Sequence, residues 1–147
     1  MRVWGRLGAL LVAGGVAAGV AVVGAAPAEA SSFGCTGFGP GVTYKGVYVT
    51  NGTFCGTVNG SGRYVNYVGG NAYNHIPGQS FCNWEIKADF YDTSGAWRDW
   101  ASTGIRGGCT MIPDLNIGVH RWERQGKVRI TLRSNASNVA SVDEAIF

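Results

Sequence analysis

Two histidines are the side chains of this chain best suited to proton transfer at neutral pH. One of them, His120, opens the run His-Arg-Trp-Glu-Arg, which also supplies a carboxylate at Glu123. Such a set suits phosphodiester cleavage, because His or Glu moves the proton and Arg stabilises the charged phosphorane. On a β-strand, however, His120 and Glu123 point to opposite faces. The pattern therefore favours a polar surface residue, and catalysis through His75, His120 and Glu123 stands as the alternative.

A second kind of chemistry, stacking on a flat ligand, is offered by the segment Trp97-Arg98-Asp99-Trp100. Exposed Trp side chains stack on sugar rings or anchor a protein partner, because they offer a large apolar area with little entropy to lose. The two tryptophans are three positions apart, so a regular strand projects them to opposite faces. We therefore expect one of them in the core and the other exposed or at an edge.

Basic residues cluster near the third exposed aromatic candidate, Trp122. They are Arg121, Arg124, Lys127, Arg129 and Arg133. This cluster suits an acidic polymer or an anionic envelope, but Lys and Arg alternating with Thr is also the ordinary composition of a solvated sheet face, which the pattern favours. The predicted ligand-binding residues are Trp97, Arg98, Trp100, Trp122, Arg124 and Arg129.

Four cysteines, Cys35, Cys55, Cys82 and Cys109, follow the leader segment. An even number in an exported chain predicts two disulfides, for which three connectivities exist. We favour Cys35 with Cys55 and Cys82 with Cys109, because each pair then lies in neighbouring segments. A zinc site is disfavoured because no Cys-x-x-Cys motif occurs. We expect neither a metal nor a cofactor.

Residues 1–30 have the pattern of a secretory signal peptide. Arg2 and Arg6 flank the start of an apolar run rich in Ala, Val, Leu and Gly, and Ala28-Glu29-Ala30 is a small-x-small cleavage pattern. A membrane anchor is the alternative, but no basic stop-transfer cluster follows the run. The Ala- and Gly-rich leader resembles those of exported bacterial proteins. We therefore predict a secreted protein, residues 31–147, which forms one domain with no membrane span after cleavage.

The stretch Phe81 to Ser102 is the clearest structural signal and predicts a β-hairpin. Trp84, Ile86, Ala88 and Phe90 alternate with polar residues, the period of a half-buried strand. The turn is expected at 92–95, where Asp, Thr, Ser and Gly follow one another.

Other β-rich runs surround this hairpin. We expect an irregular lead-in at 31–41 and a break in the chain at 69–71, because both segments are rich in glycine. Asn51-Gly52 predicts a hairpin between two of these runs, and Gln125-Gly126 a hairpin between two others. The predicted strands are 43–50, 53–58, 63–68, 117–124, 127–133 and 139–147.

Short strands joined by turns predict an all-β fold, an antiparallel β-sandwich of about eight strands with two disulfides, with a small barrel as the alternative. The sequence contains no motif that brings together a nucleophile and a general base, or a set of metal ligands. The leading hypothesis is therefore a secreted, non-enzymatic and monomeric binding module for an extracellular protein or carbohydrate. The alternative is a secreted hydrolytic effector or toxin that resembles a nuclease. A net charge of only +3 does not favour nucleic acid as a partner of the module.

Overall fold

The structure is a computed structural model that describes residues 31–38, 42–44, 47–49 and 51–147. The predicted signal peptide, residues 1–30, lies outside the described residues. Within these ranges, no helix is long and apolar enough to cross a membrane. The described strands are β1 Ser32–Phe38, β2 Val42–Tyr44, β3 Val47–Val49, β4 Gly52–Ser61, β5 Tyr64–Asn74, β6 Phe81–Asp92, β7 Trp97–Ser102, β8 Arg106–Thr110, β9 Asp114–Trp122, β10 Gly126–Ser134 and β11 Ser137–Ile146.

Nine of these strands form two antiparallel sheets. The first sheet has the order β1-β4-β5-β9. The second has the order β11-β10-β6-β7, and β8 pairs with β6 beyond the end of β7. Strands β2 and β3 pair only with each other among the described strands. The sheets pack face to face, so the predicted all-β sandwich is confirmed.

The core lies between the inner faces of the two sheets. The first sheet contributes Phe54, Val58, Val65, Val68 and Ile117, among others. The second contributes Ile86, Ala88 and Phe90 from β6 and Val128, Ile130 and Leu132 from β10. Both strands alternate as predicted, because a side chain every second residue reaches the same face of a sheet. Their outward residues therefore form a second, solvent-facing surface.

Both predicted disulfides are present. Cys35 and Cys55 lie directly opposite each other on β1 and β4, and Cys82 and Cys109 do so on β6 and β8. Each bridge therefore fixes the register of one antiparallel strand pair.

The lead-in predicted as irregular at 31–41 contains a regular strand. Strand β1 pairs with β4 along its whole length. The described residues of 43–50 pair within β2 and β3, and none of them pairs with 53–58 as the predicted Asn51-Gly52 hairpin requires. Gly34 explains why a glycine-rich segment is a strand here. A Cβ at this position would lie 2.2 Å from Oε1 of Glu144, which projects from β11. The glycine thus makes space for a buried carboxyl group rather than for a turn.

The break predicted at 69–71 is also wrong, because β5 runs through it to Asn74. A Cβ at Gly69 would lie 2.1 Å from Oδ1 of Asn116, and one at Gly70 would lie 3.0 Å from the ring of Phe54. These glycines admit neighbouring side chains while keeping the strand extended.

The predicted hairpin around Gln125-Gly126 is wrong as well. Strand β9 pairs with β5 in the first sheet, whereas β10 pairs with β6 and β11 in the second. The chain therefore crosses between the sheets at 123–125. Alternation within each strand was predicted correctly, but a short connection does not identify which sheet the next strand joins.

Glu144 is a buried carboxyl group, and its side chain gives a testable pH dependence. It is only 7% exposed, and burial raises its pKa above the ordinary value of 4.5. The folded state therefore binds this proton more tightly than the unfolded chain does. Its contribution to the free energy of unfolding is largest at low pH and declines as the pH rises from about 4.5 through the raised pKa.

We expect Glu144→Gln to remove this decline and to make the protein more stable than the parent at neutral pH. Urea denaturation at about pH 4 and about pH 7.5 measures the effect. Asp143→Asn is the matched control, because hydrogen bonding to Arg129 lowers the pKa of Asp143 to about 2. That change should reduce stability at neutral pH. A Glu144→Gln variant that follows the parent at both pH values would contradict the argument.

Candidate functional site

Trp97 and Trp100 lie on the same outward face of the second sheet, which corrects the prediction that one of them is in the core. Strand β7 carries a bulge: Asp99 pairs with Phe90, and Trp97 pairs with Tyr91, so Arg98 is an extra residue. Because of this insertion, two residues three apart project to one side. Each tryptophan is 53% exposed. We call the outward face of the second sheet the tryptophan face.

The indole of Trp97 is held in a defined position on the tryptophan face. The indole Nε1 of Trp97 donates to Oδ1 of Asp89 over 3.2 Å, and the same oxygen lies 2.8 Å from Nζ of Lys87. Trp100 stands opposite Asp89 in the ladder. Its indole N–H has no hydrogen-bond partner among the described residues, and it is thus available to a ligand. A held indole loses little entropy when a ligand stacks on it.

The turn at 92–95 fixes the start of β7. Oδ1 of Asp92 accepts hydrogen bonds from the backbone N–H groups of Ser94 and Ala96 and from the Ser94 hydroxyl. Arg98 binds the other oxygen. The hydrogen bonds from Ser94 and Arg98 lower the pKa of Asp92 well below its usual range. Arg98 therefore serves the turn that presents Trp97.

Beside the tryptophans, a polar groove runs over β6, β10 and β11. It consists of two overlapping depressions of about 400 and 270 Å³, which share Asp89, Thr131 and Asn138. The remaining lining residues are Lys87, Tyr91, Arg129, Arg133, Ser141 and Asp143. The groove thus offers hydroxyl, amide, carboxylate and guanidinium groups next to exposed aromatic rings.

Ion pairs fix the charged side chains of this groove. Arg129 binds Asp143 through two hydrogen bonds of 2.7 and 3.0 Å, and Lys127 binds the same carboxylate over 2.7 Å. The hydrogen bonds to Asp143 raise the pKa of Arg129. The cationic groups of Lys127 and Arg129 each lie 5.8 Å from the ring centroid of Tyr91. Arg133 binds Glu85 at the far end of the groove.

Arg121 connects strand β7, which carries the two tryptophans, to the first sheet. It belongs to β9, its guanidinium lies 5.3 Å from the ring centroid of Phe90, and Nη2 lies 3.0 Å from Oδ2 of Asp99. Asp99 sits between the two tryptophans on β7, an edge strand. The contact therefore joins the edge that carries them to the opposite sheet.

We expect Arg121→Met to loosen β7 without unfolding the protein. Methionine keeps an apolar stem near Phe90 but removes the charge. The half-exposed pair with Asp99 contributes at most about 1 kcal/mol, and the change also removes the ion pair that Arg121 forms with the largely buried Glu123 carboxylate. Amide hydrogen exchange in β7 should accelerate, while exchange in β10 stays unchanged. Lys127→Met, which removes an ion pair away from β7, is the control. Equal exchange in the two variants would argue against a positioning role for Arg121.

Trp122 and Arg124, two other predicted ligand-binding residues, lie away from this face. Trp122 pairs with Tyr64 on the first sheet, and their rings meet edge to face at 5.4 Å between centroids. Arg124 is exposed in the connection that crosses between the sheets. Of the predicted set, the structure brings Trp97, Trp100 and Arg129 together, and Arg98 supports them.

The residues of the catalytic alternative do not meet. His120 lies in a bulge of β9 opposite the start of β5, whereas His75 follows the end of β5. The two histidines are therefore roughly 30 Å apart along that strand. The Nε2 atom of His75 lies 3.3 Å from the Thr53 hydroxyl, and the Glu123 carboxylate binds Arg121. Among the residues described, no group of three or more His, Cys, Asp or Glu side chains could hold a metal ion.

Sequence reasoning did not single out Asp89, Tyr91, Thr131, Asn138 or Asp143 as members of one site. The alternation of β6 and β10 places the first three on the outward face, and this signal was present in the sequence. The alternation does not show which strands are neighbours in the sheet. Asn138 and Asp143 reach the groove only because β11 lies beside β10.

Comparison with known proteins adds no assignment to this geometry. The chain matches no protein-family model, no curated protein and no solved structure.

Proposed function

We propose that this chain is a secreted, non-enzymatic binding module whose ligand lies on the tryptophan face. The observation that carries the proposal is the bulge in β7, which turns both Trp97 and Trp100 to solvent on the same side of the sheet. Two exposed indoles beside a polar groove combine apolar contact area with groups that orient a ligand.

The two disulfides support the extracellular part of the proposal, because such bonds form and persist in oxidising compartments. The fixed side chains support the binding part. Trp97 is held by Asp89, and Arg129 is held by Asp143, so the site is arranged before a ligand arrives. No specific observation favours the hydrolytic alternative, since His75 lies far from His120 and Glu123 is engaged by Arg121.

A binding survey with matched tryptophan variants tests the proposal. The oxidised protein, secreted by an exporting host, is titrated with polysaccharides, cell walls, proteases and RNA, and product formation is followed in parallel. We expect saturable binding without turnover. Trp97→Ala and Trp100→Ala should each weaken binding by about 1.4 kcal/mol or more, a factor of ten, because buried aromatic anchors dominate such contacts.

Trp122→Ala is the control, because Trp122 is 70% exposed on the other sheet. It removes an indole of the same size and should leave affinity unchanged. Equal losses in all three variants would place the ligand elsewhere. If the protein cleaves RNA and His120→Ala abolishes the cleavage, the protein is a nuclease and not a binding module.

A further inference from the structure

The tryptophan face is long in the strand direction. Its outward residues form four successive rows, which begin at Trp97 with Tyr91 and end at Glu85 with Arg133. Consecutive rows are two residues apart, so the surface extends roughly 20 Å along the strands. A ligand that contacts every row is therefore extended and larger than a single sugar ring or amino acid.

The aromatic side chains occupy one end of one border of this surface. Trp97 and Trp100 stand in the first and second rows on edge strand β7, opposite Tyr91 and Asp89. Neighbouring rows are roughly 7 Å apart along the strands. Two rings of one linear chain that follows the strands can thus meet one indole each, while the rest of the chain lies over the polar groove.

The cations of the face are paired within it, four cations with three carboxylates. Its four cations, Lys87, Lys127, Arg129 and Arg133, each contact a carboxylate of the same face. These cations already form charge-assisted contacts with the carboxylates. An acidic polymer could bind the cations only by displacing the carboxylates, and those contacts would then be lost. The pairing therefore favours an uncharged ligand and argues against the basic surface considered from the sequence.

The polar groups of the groove suit the hydroxyl groups of a sugar better than they suit the core of a protein interface. Each sugar hydroxyl both donates and accepts, and an ion pair such as Arg129 with Asp143 offers both functions side by side. Asn138 adds an amide with no side-chain hydrogen bond among the described residues. Protein interfaces exclude charges from their centre because of the desolvation penalty, whereas a glycan leaves much of the groove wet.

We infer that the ligand is a neutral glycan chain that lies along the strands of the second sheet, with two rings on Trp97 and Trp100 and its remainder in the groove. The inference rests on the proposed function and specifies its ligand. It also assigns an order to the site: the tryptophan end holds short oligosaccharides, and the end near Asn138 is reached only by longer ones.

Isothermal titration calorimetry with oligosaccharide ladders tests this inference, since it does not depend on tryptophan fluorescence. The probes are neutral ladders of glucose, xylose, mannose and N-acetylglucosamine, from disaccharide to hexasaccharide, with polygalacturonate and RNA as acidic polymers. We expect at least one neutral ladder to bind with an affinity that rises with length and then levels. Trp97→Ala and Trp100→Ala should weaken every member by about tenfold or more. Asn138→Ala should weaken only the longer members.

Each other outcome overturns the inference. Binding that is independent of length or of Trp97 places the glycan elsewhere, and binding of acidic polymers alone makes the ligand an anion. If no glycan binds but a protease is held in a manner that requires Trp97 and Trp100, the inference fails and the proposed function stands. If nothing in the survey depends on these residues, both fail.

Discussion

Replacing Cys82 and Cys109 together by serine is expected to lower the free energy of unfolding by about 3.5 kcal/mol. The bridge closes a loop with a sequence separation of 27 residues. Without it, the unfolded chain gains the conformations that the closed loop excludes. A loss of this size is a large fraction of the stability of an ordinary domain.

A local effect accompanies this loss. Strand β8 is largely exposed, and its ladder with β6 consists of Phe81 with Thr110, Cys82 with Cys109, and Trp84 with Arg106. We therefore expect β8 to separate from β6 in the variant, with rapid amide exchange at 106–110. In contrast, β1 pairs with β4 along its whole length and should stay docked without its own bridge.

Guanidinium denaturation of the two double-serine variants measures both effects. The Cys35/Cys55 variant is the comparison, because its separation of 20 residues predicts a similar loss of about 3.3 kcal/mol. Only the Cys82/Cys109 variant should show fast exchange in β8. A loss below about 1 kcal/mol in that variant would mean that the unfolded chain is already constrained without this bridge.

Phe54→Ala is expected to cost about 3 to 5 kcal/mol. Phe54 is fully buried on β4, and its ring lies against Gly70 of the neighbouring strand. Truncation removes the ring from the contact between the two sheets and leaves a cavity that the extended backbone cannot close. The lost transfer free energy and the cavity act in the same direction.

Phe33→Ala is the matched control for this prediction. Phe33 belongs to the same sheet but is 69% exposed on its outer face. Its truncation should change the free energy of unfolding by no more than about 0.5 kcal/mol. Urea denaturation at one pH compares the two variants with the parent. Similar losses in both would show that the assignment of inner and outer faces on the first sheet is wrong.

The sequence predicts this fold best where a strand is half buried. Strand β10 alternates Val128, Ile130 and Leu132 with polar residues, so its inward face follows directly from the period of two. The disulfide pairing could likewise be ranked from proximity along the chain. These predictions depend on local order alone.

The same reasoning from local sequence gives wrong predictions at two glycine-rich segments. Gly34 and Gly70 look like breaks, yet both lie inside strands because a side chain from another strand occupies the space of their missing Cβ. That space is a property of tertiary packing. Local sequence therefore cannot distinguish such a glycine from one that forms a turn.

The candidate site depended on one unpredicted residue. Without the bulge at Arg98, Trp97 and Trp100 would point to opposite faces, and no aromatic pair would exist. The spacing of the two tryptophans gave a wrong prediction because it assumed a regular strand. The residue types were informative, whereas their common face is a property of how β7 pairs with β6.

The most direct test of the central claim is a chemical-shift titration. Isotope-labelled protein is titrated with an oligosaccharide or other ligand that bound in the survey, and the changes in its amide chemical shifts are mapped onto the structure. We expect the largest changes along one continuous surface: β7 at Trp97 and Trp100, β6 at Asp89, β10 at Arg129 and β11 near Asn138. The indole signals of Trp97 and Trp100 should move with them, and that of Trp122 should not. Changes concentrated instead on β4, β5 and β9 would place the ligand on the first sheet and contradict the account.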